Sequence, residues 1–359
     1  MLHALELAAR GLHTTDPNPR VGCVLVRDGR VVGEGWHERA GEAHAEPRAL
    51  QAAGAAAAGA TAYVTLEPCA SQGRMPPCSG ALLAAGVSRV VYAAADPNPA
   101  KHGGAQQLAA AGVTVQGGLL ADEARALNAG FVKRHEQGLP FVRVKLGVSL
   151  DGRSALANGA SRWITGAAAR KDAQQFRARS SVVLTGVGTI LGDDPAMNVR
   201  IDGATRQPLR VVLDSHLRSP PGSRIFRREG PALVFGIEDA PVRRAALEAA
   251  GARVEILPAG ATGGARVALL PALRRLAALQ ANEVWVEAGA TLAGALLAQG
   301  LVDELIVYVA PCLLGCGARG LADLPELQSL EQRLPLRFVD VRPVGDDLRV
   351  TAAVLPRAG

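Results

Sequence analysis

Short strand patterns alternate with helical patterns along the chain, and one break divides this alternation in two. Residues 2–12 have helical spacing of apolar side chains, and residues 60–68 and 88–96 are rich in strand-forming residues. Such alternation predicts a sheet covered by helices, which is the α/β class. The break is EQGLP at residues 136–140. Because 359 residues exceed one typical core, we predict two α/β domains, residues 1–140 and 141–359.

Individual elements can be predicted within each cycle. Residues 22–36 predict a β-hairpin with Asp28 and Gly29 at its turn, and residues 121–135 predict one continuous helix. Residues 258–265 read as a surface loop. In the second cycle, strands are expected at residues 141–152, 180–188, 209–215, 232–237, 253–258, 282–289 and 303–311, and helices at residues 166–179, 240–250, 267–278 and 292–299.

Composition narrows the classes of partner and location. No apolar run reaches the roughly 18 residues of a membrane span, and the first residues lack the layout of a signal peptide, so we expect a cytoplasmic protein that does not bind membranes. In that reducing compartment, five cysteines favour a metal site or free thiols over disulfides. The net charge of +6 is scattered and only three Tyr and three Trp are present, which favours an anionic small molecule over nucleic acid.

A histidine, two cysteines and a glutamate form the first candidate site. Cys69 follows a predicted strand, and Cys78 opens a predicted helix. His44 and Glu46 lie at the start of another helix. One His and two Cys are the ligand count of a catalytic zinc, which leaves its fourth position to water. Zinc lowers the pKa of that water from about 15.7 to about 7, and a carboxylate beside it can move the proton. H-x-E followed by P-C and a further cysteine is typical of zinc nucleobase deaminases.

Other interpretations of these residues stay open. The H-x-E and the two cysteines can be unrelated, because each pattern also occurs by chance. A purely structural zinc would need a fourth protein ligand, for which His37 is a candidate. Cys23 reads as a buried small residue of the hairpin, and Cys312 and Cys316 read as packing at a strand end.

Several predicted strands of the second domain end in turns of small residues. The domain has no G-x-G-x-x-G between its first strand and helix, so an ordinary dinucleotide-binding fold is not indicated. It has instead VKLGVSLDGR (144–153), SRWITG (161–166), LTGVGTILGDDP (184–195) and VEAGATLAGALL (286–297). Gly186, Gly188, Gly289 and Gly294 allow close backbone approach, and a helix starting near Leu292 offers N–H groups to a phosphate.

Three stretches carry a resemblance to a known family. TTDPNPRVGCVLVRDGRVVGEGWHERAGEAHAEPRAL (14–50), TAYVTLEPCASQGRMPPC (61–78) and VVYAAADPNP (90–99) resemble the deaminase domain of the bifunctional riboflavin-biosynthesis deaminase/reductase family. The long loop between the cysteines distinguishes this family from cytidine and tRNA adenosine deaminases. The resemblance implies a cytidine-deaminase-like α/β/α fold, zinc ligands His44, Cys69 and Cys78, Glu46 as proton shuttle, and Asn18 as a contact of the pyrimidine.

The segments of the second domain resemble the reductase half of the same family, whose fold is like that of dihydrofolate reductase. The resemblance implies an NADPH site lined by Val148, Trp163, Thr189, Asp193, Gly289, Ala290, Thr291, Leu292, Ala293, Gly294 and Ala295. It implies substrate contacts at Ser161, Arg177, Met197, Arg200, Glu287 and Lys145, with Asp151 and Lys145 near the nicotinamide. Other interpretations stay open, namely a core position for Trp163, a turn cap at Asp193-Asp194, and solvated charges at Arg177 and Arg200.

The expected function is therefore bifunctional. One domain deaminates 2,5-diamino-6-ribosylamino-4(3H)-pyrimidinone 5′-phosphate with Zn²⁺, and the other reduces its ribosyl side chain to ribityl with NADPH. The resemblance also implies a homo-oligomer. The sequence departs from the family at Ala70, Ser71 and Met75, where a Ser, a His and a Thr are usual. These departures prompt one alternative, a reductase-only or non-catalytic zinc paralogue, and a nucleic-acid deaminase is another.

Overall fold

The chain forms two compact units, Met1–Gly138 and Leu139–Gly359. The computed structural model describes residues 1–71, 77–260 and 266–356. Met75 and the last five residues of the predicted surface loop 258–265 lie outside the described residues. Both units are α/β, as the alternation predicts. A helix that is both long and apolar enough to cross a membrane is not found among the described residues.

The first unit is built on a five-stranded sheet with strand order β2-β1-β3-β4-β5. Strand β1 pairs antiparallel with β2 and β3, and β3, β4 and β5 run parallel. The predicted hairpin is confirmed, with Asp28 and Gly29 both at positive φ in its turn. The elements in chain order are α1 (Leu2–Ala9), β1 (Gly22–Arg27), β2 (Arg30–Trp36), α2 (Ala45–Ala53), β3 (Thr61–Leu66), α3 (Cys78–Ala84), β4 (Arg89–Ala94), α4 (Gly104–Ala110), β5 (Thr114–Gly117), α5 (Ala121–Leu127) and α6 (Ala129–Gln137).

The helix predicted for residues 121–135 is wrong as a single element, because Asn128 separates α5 from α6. Its side-chain amide donates to the carbonyl oxygen of Arg20 at 2.9 Å, and its carbonyl oxygen accepts from the Arg20 backbone N–H at 2.8 Å. The Arg20 guanidinium donates to the carbonyl of Leu127 at 2.8 Å. This pairing with a distant segment satisfies polar groups that a continuous helix would have bonded internally.

The second unit is built on a nine-stranded sheet with strand order β11-β10-β9-β8-β12-β6-β13-β16-β15. All neighbours are parallel except the antiparallel pairs that include β16. Its elements are β6 (Phe141–Ser149), β7 (Arg153–Ala155), α7 (Ala167–Arg179), β8 (Val182–Gly186), α8 (Val187–Asp193), β9 (Leu209–Leu213), β10 (Ala232–Gly236), α9 (Pro241–Ala249), β11 (Ala252–Ile256), α10 (Leu269–Ala278), β12 (Glu283–Glu287), α11 (Ala290–Ala298), β13 (Glu304–Ala310), β14 (Arg319–Gly320), β15 (Leu336–Val344) and β16 (Asp347–Val354).

Apolar side chains fill both faces of this sheet, as expected for parallel strands covered on two sides. One face carries Val144, Val284 and Val286 against α10 and α11. The other carries Trp285 and Tyr308 among the residues packed near α7. The carboxyl ends of β6, β8, β12 and β13 lie at one edge, which is where ligands bind in open α/β sheets.

Two features of this unit were not expected from the sequence. The strand predicted for residues 180–188 ends at Gly186, and the chain continues as the short helix α8. The C-terminal hairpin of β15 and β16 was also not predicted. Two features of β15 interrupt the alternation that would have indicated a strand. One is a β-bulge at Val339, and the other is Pro343.

Candidate functional site

Three elements of the first unit bring the expected zinc ligands together. His44 is the residue before α2, Cys69 follows β3, and Cys78 is the first residue of α3. His44 Nδ1 lies 3.3 Å from Cys78 Sγ and 3.8 Å from Cys69 Sγ. All three ligand atoms are within 4.8 Å of one another. This is a group of one imidazole and two thiols that a single ion can bridge.

The segment that carries Cys69 is held by packing against α4. The Glu67 carboxylate accepts hydrogen bonds from the backbone N–H groups of Gly103 at 2.9 Å and Ala105 at 3.2 Å. A Cβ at Gly104 would lie 1.8 Å from the carbonyl oxygen of Pro68, so only glycine permits this approach. Sequence reasoning missed Glu67, although a charged residue at the end of a buried strand was a possible signal.

The residues that depart from the family pattern after Cys69 take part in the same packing. The backbone N–H of Ala70 donates to the carbonyl of Lys101 at 2.9 Å. The Ser71 hydroxyl donates to the carbonyl of Ala100 at 2.6 Å. Both residues therefore tie the segment after Cys69 to the loop before α4.

Glu46 is buried in the first turn of α2, with 3% of its surface exposed. Burial raises the pKa of its carboxyl group. The charge of His44 and a hydrogen bond with Cys78 act in the opposite direction and lower this pKa. A hydrogen bond with Cys78 lowers the pKa of the Cys69 thiol, and a hydrogen bond with His44 lowers it further. The group thus combines a stabilised thiolate with a carboxyl group suited to carrying a proton.

His37 is not a fourth ligand, because its ring is bound elsewhere. Its Nδ1 lies 3.1 Å from the carbonyl oxygen of Ala43, and its Nε2 lies 3.0 Å from the side-chain nitrogen of Asn18. The carbonyl requires a proton on Nδ1, so Nε2 accepts from Asn18. His37 therefore fixes the orientation of Asn18, whose side-chain oxygen is directed away from this hydrogen bond.

The donor set fits zinc of the catalytic type. Two cysteines and one histidine are ligands that zinc prefers, and three protein ligands leave one position open. Among the described residues, this is the one such cluster in which three His, Cys, Asp or Glu ligand atoms converge. Cys23 is fully buried, as predicted. Cys312 is half-buried and Cys316 is exposed, so the expectation of strand-end packing is wrong for Cys316.

In the second unit, Glu287 is the centre of a charged group at the carboxyl end of β12. Arg177 of α7 binds it with two hydrogen bonds, Nε to Oε1 at 2.5 Å and Nη2 to Oε2 at 2.7 Å. The indole Nε1 of Trp285 donates to Oε1 at 2.7 Å. Burial would raise the pKa of Glu287, but Arg177, Lys145 and Trp285 outweigh burial and hold it at about 2.

Arg177 is buried in this group, and Lys145 is half-buried. Burial lowers the pKa of Lys145, which the charge of Glu287 opposes. Arg177 also donates through Nη1 to the carbonyl of Asn198 at 2.9 Å, and its Nη2 lies 3.9 Å from Met197 Sδ. Arg177 is only 8% exposed, so it is not the solvated charge that the sequence left open. The structure thus brings Lys145, Arg177, Met197 and Glu287 together.

Arg200 lies next to this group and is more exposed. Its guanidinium Nη1 donates to Asn198 Oδ1 at 2.9 Å, and its backbone N–H donates to Gln174 Oε1 at 2.9 Å. Burial of part of the side chain lowers the pKa of Arg200, and the like charges of Arg177, Arg224 and Arg228 lower it further. The charge of Glu287 opposes these effects, so three arginine side chains and one carboxylate act on the charge of Arg200.

Trp163 and Asp193 meet through Arg162. Trp163 is 69% exposed, which excludes a core position. The guanidinium of Arg170 lies 4.3 Å from its ring centre. Arg162 Nε lies 3.1 Å from Asp193 Oδ1. This ion pair links the segment of residues 161–163 to the end of α8. Ser161, in the same segment, is half-buried.

The predicted residues 289–295 form the start of α11. Gly289 is the residue before the helix, and nothing lies within 4 Å of where its Cβ would be, which leaves room for a ligand there. Gly294 has a different role, since a Cβ there would lie 2.1 Å from the carbonyl oxygen of Asp323. Thr291 donates to Asp323 Oδ2 at 2.8 Å. The side chain of Ala293 lies in the core, and the flanking Ala290, Leu292 and Ala295 are half-buried.

The remaining predicted residues lie at neighbouring strand ends. Val148 is buried near the end of β6, and Thr189 is half-buried in α8. Asp151 accepts hydrogen bonds from the backbone N–H groups of Leu314 at 3.1 Å and Gly315 at 2.8 Å. Open space at Gly289 and at Gly188, together with the free N–H groups of a helix start, fits a phosphorylated cofactor such as NADPH.

Comparison with protein-family models supports both halves of the chain. Residues 140–350 match the RibD C-terminal domain. Residues 1–94 match the cytidine and deoxycytidylate deaminase zinc-binding region. The reductase domain is of the NADPH-using RibD type, and the deaminase domain is of the zinc-binding type.

Full-length relatives are similar over nearly the whole chain. The riboflavin biosynthesis protein RibD of Escherichia coli (strain K12) is 49% identical over 97% of this chain and 96% of its own length. That of Haemophilus influenzae is 46% identical over 98% of this chain and 95% of its own.

A solved structure has the same fold throughout. Acinetobacter baumannii RibD, form 1, superposes with a TM-score of 0.92 at 43% identity and covers 99% of this chain and 98% of its own. A Thermotoga maritima structure described as a diaminohydroxyphosphoribosylaminopyrimidine deaminase/5-amino-6-(5-phosphoribosylamino)uracil reductase has a TM-score of 0.86 at 29% identity and covers 99% of this chain and 97% of its own. The chain belongs to the RibD family of bifunctional deaminase/reductases of riboflavin biosynthesis.

Proposed function

We propose that residues 1–140 deaminate 2,5-diamino-6-ribosylamino-4(3H)-pyrimidinone 5′-phosphate and that residues 141–359 reduce the ribosyl side chain of the product to ribityl. The observation that carries the first half is the convergence of His44, Cys69 and Cys78 beside buried Glu46. The two activities for which the Thermotoga maritima relative is named, a diaminohydroxyphosphoribosylaminopyrimidine deaminase and a 5-amino-6-(5-phosphoribosylamino)uracil reductase, support both substrates.

In the deaminase domain, His44, Cys69 and Cys78 would hold zinc. When bound, zinc supplies a Lewis acid that makes water acidic enough to react near neutral pH. Glu46 takes a proton from the attacking water and gives it to the ring nitrogen. It then takes the remaining proton of the hydroxyl added to the ring carbon and gives it to the amine, so that ammonia leaves and a carbonyl remains. Asn18, oriented by His37, positions the pyrimidine.

In the reductase domain, the proposed cofactor residues would hold NADPH, which when bound supplies a hydride to C1 of the ring-opened ribose. Residues 289–295 would offer backbone N–H groups to its phosphates, and Trp163 and Asp193 would be further contacts of the cofactor. Lys145, Ser161, Met197 and Glu287 contact the sugar. The chain's own contribution is the placement of the sugar carbon and the exclusion of water.

Arg200 and its basic neighbours Arg224 and Arg228 bind the substrate phosphate in this proposal. The guanidinium of Arg177 is already bound to Glu287 and Asn198, so Arg177 serves the substrate by holding these groups. Among the described residues, the side chains of Arg200, Arg224 and Arg228 form no ion pair with a carboxylate. Guanidinium groups without such partners are suited to a phosphate dianion. We therefore propose a phosphorylated small molecule as the substrate and not nucleic acid.

The chain is also proposed to form a homo-oligomer in the cytoplasm. One face of the C-terminal hairpin is apolar and exposed, with Phe338 72% and Val341 54% exposed. Opposite residues on this face are Leu336 with Val354, Val341 with Val350 and Pro343 with Leu348, whereas Ala352, opposite Phe338, is buried. Such a patch is typical of a protein interface, and Phe338→Asp should reduce the mass measured by light scattering. Reduced Cys69 and Cys78 favour a reducing compartment.

Ammonia release from the pyrimidine substrate, with and without a chelator, tests the proposed deamination. Release should stop with the chelator and return when zinc is added. NADPH oxidation with the deaminated substrate should continue in the chelated protein. Ammonia release that survives complete removal of metal would contradict the zinc mechanism, and release from tRNA or single-stranded DNA would favour a nucleic-acid deaminase.

A further inference from the structure

We propose that Trp285 is a positioning residue for the reductase, and that its indole N–H determines which oxygen of Glu287 is presented to the substrate. The inference rests on the proposed function, in which Glu287 contacts the sugar. No part of the proposal needs Trp285 itself to touch the substrate.

Strand geometry places Trp285 and Glu287 on the same face of the sheet. They are two residues apart in β12, and side chains at this spacing point in the same direction. In the neighbouring strand β6, Arg143 lies opposite Trp285 and Lys145 lies opposite Glu287. The indole therefore lies in the same row of side chains as the charged group, two residues further from the carboxyl end of β12.

The plane of the indole is fixed by packing. Trp285 is fully buried, and its ring stacks on Phe176 of α7 with 4.8 Å between ring centres and an angle of 9° between planes. Arg177, the next residue of α7, binds Glu287. One helix thus holds both the indole and the guanidinium that bind the carboxylate, so neither donor can turn away independently.

The donors divide unequally between the two carboxylate oxygens. Oε1 accepts from Trp285 Nε1 at 2.7 Å and from Arg177 Nε at 2.5 Å. Oε2 accepts only from Arg177 Nη2, at 2.7 Å, among the hydrogen bonds of the described residues. Each carboxylate oxygen accepts about two hydrogen bonds. Oε1 is therefore filled, and Oε2 keeps an acceptor position for a substrate hydroxyl.

A buried tryptophan often serves only to fill the core, and its N–H then bonds to any available carbonyl. Here the partner is a carboxylate that is also clamped by an arginine, and hydrogen bonds to charged groups are the stronger kind. Without the indole donor, Oε1 would have a free acceptor position, and the substrate hydroxyl could bind either oxygen. The expected consequence is a loss of substrate affinity and alignment, without loss of the cofactor site.

Trp285→Phe tests this role, because it keeps an aromatic ring for Phe176 and removes only the N–H and part of the ring. We expect kcat/KM for the deaminated phosphorylated substrate to fall about ten- to a hundred-fold, mainly through KM. The Kd for NADPH and the deaminase turnover should be unchanged. Phe176→Leu is the matched control, since it weakens the stack and leaves the N–H. It should lower Tm and change the substrate KM little. An unchanged substrate KM in Trp285→Phe would overturn the proposal.

A double-mutant cycle with Glu287→Gln separates the inference from the proposed function. If Trp285 acts through Glu287, the double variant should be no worse than Glu287→Gln alone. Additive losses would show that Trp285 acts in another way. If Glu287→Gln itself leaves the reductase unchanged, the substrate contact in the proposed function fails, which is a different result.

Nuclear magnetic resonance of the full-length protein keeps the test open if Trp285→Phe does not fold. The chain has only three tryptophans, so three indole N–H signals are expected after ¹⁵N labelling. The Trp285 signal should move in Glu287→Gln and when the phosphorylated ribityl product binds. The Trp36 signal should not move. A Trp285 signal that is unchanged in both experiments would contradict the proposal.

Discussion

The two sites differ in how much of their polar chemistry is already paired within the chain. In the first unit, His44, Cys69 and Cys78 converge on each other, and the ligand atoms are within 4.8 Å. In the second unit, Glu287 is bound by Arg177 and Trp285. The first arrangement is suited to binding an added cation. In the second, Arg177 neutralises the charge of Glu287, and the carboxylate is suited to presenting one acceptor oxygen to a substrate.

This difference predicts how each site responds to substitution. Loss of one proposed zinc ligand should remove the metal from the first site, so the effect should be large and confined to deamination. Loss of one partner of Glu287 in the second site leaves a half-buried charge unpaired, so stability and activity change together. The following variants are ordered from the largest expected effect to the smallest.

Cys69→Ser should remove zinc and reduce ammonia release to background, because two ligands with an open site do not retain the metal. NADPH oxidation by the same protein should be unchanged. Metal analysis of the purified variant and the two activity assays check this expectation. Cys23→Ser, a buried cysteine outside the metal cluster, is the control and should keep its zinc. Stoichiometric zinc in Cys69→Ser would rule out this ligand set.

Glu46→Gln should keep zinc and lower deaminase kcat by about 10²–10⁴-fold, the range for loss of a general acid–base group. The amide preserves the size of the buried side chain but cannot carry the proton. Deaminase kcat and zinc content should be measured in the same preparation. Turnover close to that of the unmodified protein would remove Glu46 from the mechanism.

The two sites also differ in how far the sequence could predict them. The proposed zinc ligands follow local rules, because each lies where a helix begins or shortly after a strand ends. The group around Glu287 does not, since Arg177 and Glu287 are 110 residues apart and meet only after α7 covers β12. The hydrogen bond from Trp285 to Glu287 could not be predicted, because a spacing of two residues in a strand indicates only that the two side chains share a face. The resemblance named Glu287 but not the donor beside it.

The fold shows the same limit. Strands and helices with regular periodicity were predicted within a few residues. The break at Asn128 was not, because it depends on hydrogen bonds to Arg20, far away in sequence. Helix α8 was missed because Gly188 and Gly192 have low helix propensity. Tertiary contacts therefore decided the elements that local pattern could not.

Arg177→Ala should lower the free energy of unfolding of the reductase unit by about 3 kcal/mol, the low end of the range for breaking a buried ion pair, because it leaves half-buried Glu287 without its main counter-charge. A higher substrate KM should accompany the loss. Thermal unfolding and reductase kinetics are the measurements. Arg177→Ala/Glu287→Gln, which removes both charges, should regain part of the stability. A single variant as stable as the unmodified protein would show that Arg177 is not needed to neutralise Glu287.

Arg200→Ala should raise the reductase KM for the phosphorylated substrate by about five- to ten-fold, the effect of one charge-assisted hydrogen bond. Its side chain is exposed, so Tm should change little. The same kinetics on a substrate without the phosphate should show no difference between the two proteins. An equal KM for both proteins on the phosphorylated substrate would reassign the phosphate contact to other groups, with Arg224→Ala as the next variant.

The smallest expected effect is a pH dependence that distinguishes the internally paired site. The pKa of Glu287 is about 2 in the folded protein against an ordinary value of 4.5, since Arg177, Lys145 and Trp285 outweigh its burial. A lowered pKa means that the charged form adds stability above the ordinary value, and that this stability is lost as pH falls towards the folded value. The Tm difference between the unmodified protein and Glu287→Gln should thus be constant from pH 8 to pH 5, and should shrink from about pH 4.5 towards pH 2. A difference that instead grows with acidification would mean that Glu287 is protonated in the folded protein, and the second site would then resemble the first in holding an unneutralised carboxyl group.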